Sequence, residues 1–497
     1  MHTKKAMVIG SGLGGMATAI RLALQGFEVT VFEKNSGPGG KLTAFEQDGF
    51  HFDAGPSLFT QPQNIEELFS LADEPIEKYF AYKPVEIACK YFYPDGKTVN
   101  AYTNAALFSQ ELQEQLGEAP GAVESYLKES AKLYHNIGTI FLNHSLHKRK
   151  TWLHTSIGRA MTTVKPGYLF QSLHQHNYKH FKSEKTVQLF NRFATYNGSN
   201  PYQAPGMLSL IPHLEMNEGT YYPAGGMISI TNALYNLAKN KGVEFHFNRP
   251  VQRIIHHEGT VRGVVVDNEN IHADIVVSNA DAYFTYKNLL ADSSKAKKIL
   301  RQERSSSAVI FYWGIDKVFP QLQLHNILFS NDYKKEFDNI FIHKKLFAHP
   351  TVYINITSKM EGGQAPEGKE NWFVMINVPA NTGQDWASEK EQLRNIVIEK
   401  INSVTGEDIT NHIVTEHTLD PLMIEEQTAS YMGSLYGTSS NSKLAAFLRH
   451  PNFTSTIKGL YFCGGSVHPG GGIPLCLKSA AIVSGLVAAD NKKRRQH

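Results

Sequence analysis

The sequence predicts an α/β chain whose two ends build one domain, and two observations carry this. A glycine-rich turn, Gly10-Ser11-Gly12-Leu13-Gly14-Gly15, follows a short apolar run near the start. A second, Gly464-Gly465-Ser466-Val467-His468-Pro469-Gly470-Gly471-Gly472-Ile473-Pro474, lies near the end. A strand that stops at glycine and opens into a helix cradles phosphate with backbone N–H groups and the positive end of the helix dipole. Two such loops at opposite ends of 497 residues predict one long dinucleotide held by a discontinuous domain.

The elements follow in order. Residues 6–9 read as a strand, 13–25 as a helix rich in Ala, Leu and Ile that stops at Gly26, and 29–32 as a second strand. Gly10 suits the tight turn, Gly12 a close backbone approach to a pyrophosphate, and Gly15 close helix–strand packing. Glu33 ends the second strand, where an acidic side chain accepts hydrogen bonds from ribose hydroxyls, with Lys34 beside it. Pro38-Gly39-Gly40-Lys41 is a second backbone pass beside the cofactor and adds a cation; a nicotinamide site does not need it, so FAD is favoured. Residues 53–60 form a polar loop, and helical patterning resumes near Asn64. Strand signals run from Val243 to Val277, and residues 286–421 alternate strand and helix signals. A strand at 459–462 leads into the terminal glycine loop and a helix from about Leu475 to Ala489.

Composition bounds the function. Hydrophobic residues make up 41% and charged residues 19%, which excludes a disordered chain. A net charge of +3 gives no footprint for nucleic acid. Three cysteines, Cys89, Cys463 and Cys476, offer neither a disulfide framework nor metal spacing, which points to a reducing cytoplasm. The charged start is too short for a secretion signal. No run of about 18 apolar residues occurs, so no spanning helix is expected. The 22 histidines, including His144, His147, His174 and His176, show no metal pattern and read as surface or interfacial.

Further motifs make the resemblance specific. With the two glycine loops, Glu33 and Gly39-Gly40 stand Asp48-Gly49-Phe50-His51-Phe52-Asp53-Ala54-Gly55-Pro56-Ser57 and Tyr222-Pro223-Ala224-Gly225-Gly226-Met227. Together they resemble the bacterial FAD-dependent carotenoid desaturases of the phytoene desaturase type, within the amine-oxidase-like flavoproteins. Lys41 and Tyr221 replace the Arg and Trp that many members carry. The resemblance implies a Rossmann-like FAD-binding domain (residues 1–74, 218–285 and 422–497) and a mixed α+β substrate domain (75–128, 185–217 and 286–421). A helical membrane-facing region (129–184) completes the fold. It implies non-covalent FAD, with Gly55, Pro56, Ser57 and Leu58 along the flavin. Val251 would lie at the adenine and Asn279 near the adenosine half, with Gly465, Ser466, Gly472 and Ile473 at the ribityl chain and flavin.

The activity implied is desaturation of a membrane-dissolved carotenoid by hydride transfer to flavin, with oxygen or a quinone as final acceptor. Within the family the likeness leans to the 3,4-bond of a 1-hydroxylated carotenoid. Phytoene or diapophytoene desaturation, oxidation of a terminal methyl group and, more remotely, amine oxidation are alternatives. His468 is the candidate catalytic residue, with Arg192, Glu215, Glu218 and Tyr221 as further candidates. Between Glu129 and Glu184 no acidic residue occurs. Lys132, Lys148, Arg149, Lys150, Arg159, Lys165, Lys179 and Lys182 are interleaved there with Trp152, Tyr168, Phe170, Tyr178 and Phe181. Such a stretch suits anionic lipid headgroups, so a peripheral site on the inner face of the cell membrane is expected, helped by the basic tail 491–497.

Overall fold

Five short parallel strands draw three distant stretches of chain into one sheet. They are β1 (Lys5–Ile9), β2 (Glu28–Phe32), β3 (Glu244–His246), β4 (Ile275–Ser278) and β5 (Leu460–Phe462), in the order β5-β4-β1-β2-β3. The structure is a computed structural model and describes residues 3–148, 151–152, 157–158, 163, 165–442 and 449–495. Strands covered on both faces read as continuous apolar runs, and Ala6, Met7, Val8 and Ile9 are all buried. On one face lie α1 (Leu13–Ala23), α2 (Ile228–Asn240) and α3 (Ile473–Arg495). Met16 and Ile20, Leu234 and Leu237, and Leu477 and Val483 share that core with Val8 and Val29. An antiparallel meander, Val251–His257, Thr260–Val266 and Glu269–His272, covers the other face through Ile254, Val264 and Val266.

The terminal helix is more apolar than its sequence suggests. Within α3, Ile473–Lys492 is long and apolar enough to cross a membrane, with a mean hydropathy of 1.5. Leu477, Ala480, Val483 and Val487 recur at helical spacing and enter the core beside α1, so the apolarity serves packing. Lys478, Ser479 and Ser484 interrupt the apolar run in sequence.

A seven-stranded sheet forms the second layer, with Ser307–Ile315 buried along its whole length between Ile413–Leu419 and Glu370–Val378. Trp313, Val309 and Phe311 pack under the helix Trp386–Thr405. The opposite face, with Ile310 and Tyr312, receives Phe50 and Phe52 from the hairpin Ala44–Gln47/Phe50–Asp53. Asp53 at the end of that hairpin accepts hydrogen bonds from the Met227 and Ile228 N–H groups (2.8 and 3.1 Å). This contact joins the motif at 48–57 to the motif at 222–227, because one supplies the cap of the helix that the other begins.

Among the described residues of 129–184, only part of the expected aromatic set is exposed. Trp152, Phe170 and Tyr178 are 58%, 67% and 62% accessible, whereas Tyr168 and Phe181 are buried. Tyr168 packs with Leu133, Ile137 and Met207, and Phe181 stacks on Phe190. His176, expected at the surface, is buried between Tyr126, Tyr168 and His180, and burial lowers its imidazole to about 4. Lys165 pairs with Glu129 at 2.9 Å. Burial alone would raise the Glu129 carboxyl, but hydrogen bonds from Tyr168, Lys165 and His180 bring it down to about 2. Arg149, Lys150 and Arg159 lie outside the described residues, as do residues 496–497 and the side chains of 493–495.

Candidate active site

Where β1 meets α1, the chain turns through Gly10, whose N–H bonds the Phe32 carbonyl at 2.8 Å. Helix α1 begins at Gly12 with no side-chain cap, so its first-turn N–H groups are left for a ligand. A Cβ at position 15 would lie 2.1 Å from the Gly10 carbonyl oxygen, which is the close helix–strand approach the motif predicts. The second loop clasps the first: the Gly39 N–H bonds the Ser11 carbonyl at 3.0 Å. The terminal loop arrives from β5, and a Cβ on Gly464 would lie 2.3 Å from Asn279 Nδ2. Asn279 also donates from Nδ2 to the Cys463 carbonyl at 3.3 Å. Its N–H bonds the Ile9 carbonyl at 2.8 Å, so Asn279 fastens the first and last glycine loops together.

These loops open on a cavity of about 710 Å³. Its walls include Gly10, Gly12, Leu13, Gly14, Glu33, Lys34, Gly40 and Lys41. They continue through Gly55, Pro56, Ser57, Leu58, Val251, Asn279, Gly465, Ser466, Gly472 and Ile473. Ser11 and Gly15 stand behind this wall. Ser11 donates from its N–H (2.8 Å) and Oγ (2.9 Å) to Glu33 Oε2, while the Asn35 N–H bonds Oε1 at 2.9 Å. Glu33 is thus held at the cavity edge with acceptor capacity to spare. Lys41 donates to the Leu435 carbonyl at 2.8 Å, and burial lowers its ammonium while Asp281 opposes the shift. Lys34 donates outward to the Glu426 carbonyl at 2.6 Å.

Away from the glycines the cavity becomes apolar. Ile137, Phe141 and Leu142 form one side; Ile310, Phe373 and Met375 of the second sheet form another. Ser57 Oγ and Tyr353 Oη are 2.7 Å apart, and Tyr353 Oη is 2.7 Å from His325 Nδ1. Burial lowers the His325 imidazole to about 3, so it stays neutral. Burial raises the Tyr353 phenol, Glu215 adds to this, and Arg192 opposes it.

His468 does not line the cavity. It is fully buried, and its Nε2 donates to the His144 carbonyl at 2.9 Å, with Phe141 and His147 against the ring. Burial lowers the imidazole to about 4. This placement suits a histidine that holds the loop better than one that takes a proton from a ligand. Glu218 and Tyr221 also stand off the cavity: Glu218 accepts from Gln61 at 2.8 Å, and the Tyr221 hydroxyl donates to the Glu218 carbonyl at 2.9 Å. Of the further candidates only Glu215 reaches the wall, backed by Arg192. Sequence reasoning missed Arg449, a buried cavity residue whose Nη1 donates to the Tyr436 carbonyl at 2.8 Å and which burial lowers to about 10. No motif marks it.

The donor set fits FAD. Glycine loops with unclaimed N–H groups suit the pyrophosphate, Glu33 suits the ribose, and an apolar-walled extension suits a flat ring system. Comparison with known proteins agrees. The family described as flavin containing amine oxidoreductase matches residues 13–488. The chain belongs to this family and is an FAD-dependent oxidoreductase. It is 48% identical to a 1-hydroxycarotenoid 3,4-desaturase of Flavobacterium sp. (strain P99-3), across 98% of this chain and all of that one. A 4,4'-diaponeurosporene oxygenase of Staphylococcus haemolyticus is 31% identical over 98% of each chain. Cyclohexylamine oxidase from Brevibacterium oxydans shares the fold, with a TM-score of 0.63 and 13% identity over 99% of this chain and 100% of that one.

Proposed function

We propose that this protein is a carotenoid desaturase that introduces the 3,4 double bond of a 1-hydroxycarotenoid. The observation that carries the reading is the continuity of one cavity, glycine-built at one end and apolar at the other, in a chain 48% identical to an enzyme of that name. FAD bound without a covalent link supplies the two-electron oxidation.

The chain's own residues do the rest. N–H groups at Gly12 to Gly14 would hold the pyrophosphate, and Glu33 would accept from the ribose. Asn279 locks the loops, and Gly55 to Leu58 would flank the flavin. The apolar walls exclude water and align a hydrocarbon chain, whose own conjugation spreads developing charge. His468 keeps its Nε2 proton on the His144 carbonyl and holds the terminal loop in place.

The stretch 129–184 supports a membrane role in two ways. It exposes Trp152, Phe170 and Tyr178, and it also supplies Ile137, Phe141 and Leu142 to the cavity. A polyene held in anionic lipid at the inner face of the cell membrane would enter by way of this stretch. Terminal-methyl oxidation is the second reading, favoured by the likeness to the diaponeurosporene oxygenase, though at 31% rather than 48% identity.

The test is incubation of the FAD-loaded enzyme in liposomes with phytoene, lycopene and 1-hydroxylated γ-carotene. A red shift with the hydroxylated polyene is expected. A terminal aldehyde or acid product would instead support the second reading, and no oxidation of any polyene would remove both.

A further inference from the structure

Beside the apolar wall of Leu208, Leu210, Ile211 and Leu214, Tyr196 and Glu215 also face the cavity. Behind them lies a buried ion pair, Arg192 with Glu215, whose side chains are 8% and 3% exposed. The Arg192 guanidinium donates from Nε to Tyr91, from Nη1 to Tyr196 at 2.9 Å, and from Nη2 to Glu215. The Tyr196 hydroxyl donates in turn to the second Glu215 oxygen. Arg192 also lies over the Tyr91, Phe193 and Tyr196 rings at 5.2, 4.5 and 5.5 Å.

Stability does not explain this arrangement, since well-packed apolar residues of like volume commonly serve as well as a buried pair. The Glu215 side chain accepts two of these bonds, while a carboxylate offers about four acceptor positions. It borders the cavity, so the remaining positions are within reach of a ligand. The donors it already has come from a rigid, stacked cluster, which fixes the carboxylate in place.

We infer that Glu215, held by Arg192 and Tyr196, accepts the hydrogen bond of the substrate hydroxyl and so selects a hydroxylated polyene over a plain one. This rests on the 3,4-desaturation proposed above. In such a substrate the hydroxyl-bearing carbon is two bonds from the carbon that reacts, so its reader must stand beside the flavin-facing segment. Ser57 of that segment and Glu215 line the same cavity. A hydroxyl carried into the apolar part of the cavity without a partner would cost about 1–3 kcal/mol. Glu215 is therefore a specificity residue; Arg192 and Tyr196 are positioning residues.

The test compares wild-type, Glu215→Gln and Tyr196→Phe holoenzymes, each checked for bound flavin by absorbance, on 1-hydroxylated γ-carotene and γ-carotene in liposomes. The wild type should prefer the hydroxylated polyene by at least about 100-fold in kcat/KM. Glu215→Gln should cut that preference at least about tenfold, mainly through KM of the hydroxylated polyene, and Tyr196→Phe by less. An unchanged preference in both variants would overturn the inference, as would an equal fall in kcat on both polyenes. Should Glu215→Gln lose its flavin, Tyr196→Phe decides alone, and full retention of the preference overturns it. If the wild type oxidises both polyenes equally, desaturation stands and hydroxyl selection falls. If it oxidises neither, the desaturase reading itself has failed.

Discussion

The two ends of the cavity are made of different materials. At the cofactor end the ligand-facing surface is backbone: glycine loops from both termini, fastened by Asn279 and Glu33 through a few hydrogen bonds. At the other end the surface is side chains drawn from the helical stretch, the segment 207–214 and the second sheet. Backbone recognition tolerates almost no change in shape, because an added atom meets another main chain that cannot yield. Apolar side-chain walls tolerate substitution and set only size and polarity. Cofactor binding is accordingly the rigid property of this molecule, and substrate choice the adjustable one.

The sharpest way to break that contrast is at the rigid end. Gly15→Val should cost about 3 kcal/mol or more and leave an apoprotein, because its Cβ would sit 2.1 Å from the Gly10 oxygen; flavin absorbance of the purified protein reads this. Glu33→Ala strands the Ser11 and Asn35 N–H groups and should weaken FAD at least about tenfold by titration. At the adjustable end, Leu142→Trp should narrow the apolar cavity and lower kcat/KM for the polyene about tenfold or more while flavin content is unchanged.

This difference also decided what the sequence could tell. Gly10 to Gly15, Glu33 and the loop at 464–474 carry their meaning locally, so the turns that build one end of the cavity were legible. So was the Rossmann-like sheet, whose buried strands are continuous apolar runs. The cavity was not, since Phe141, Met207, Ile310 and Phe373 become neighbours only through tertiary packing and look like any core residue. The motif around His468 did not show where its ring goes, which is to the His144 carbonyl and not to the cavity. Tyr168 and Phe181 misled for a related reason: composition marks an aromatic stretch but not which faces its helices bury.

Two smaller effects concern the helical stretch. Replacing Trp152, Phe170 and Tyr178 together by Ser should reduce binding to anionic liposomes about tenfold in a sedimentation assay, with flavin binding untouched. The weakest effect is on pH. Glu129 titrates near 2 in the fold against an ordinary 4.5, so its stabilising contribution is complete above 4.5 and is lost as pH falls towards 2. Thermal unfolding of wild type and Glu129→Gln should therefore differ above that window and converge on acidification.

If one cavity joins the flavin to a hydroxylated polyene, oxidation of the polyene and reduction of the flavin must run together. Anaerobic rapid mixing of the liposome-bound holoenzyme with 1-hydroxylated γ-carotene tests it most directly, with an aliphatic amine as control. Loss of flavin absorbance should coincide with a red shift of the polyene, and the amine should leave the flavin oxidised. Bleaching by the amine with an unaltered polyene spectrum would show an amine oxidase instead.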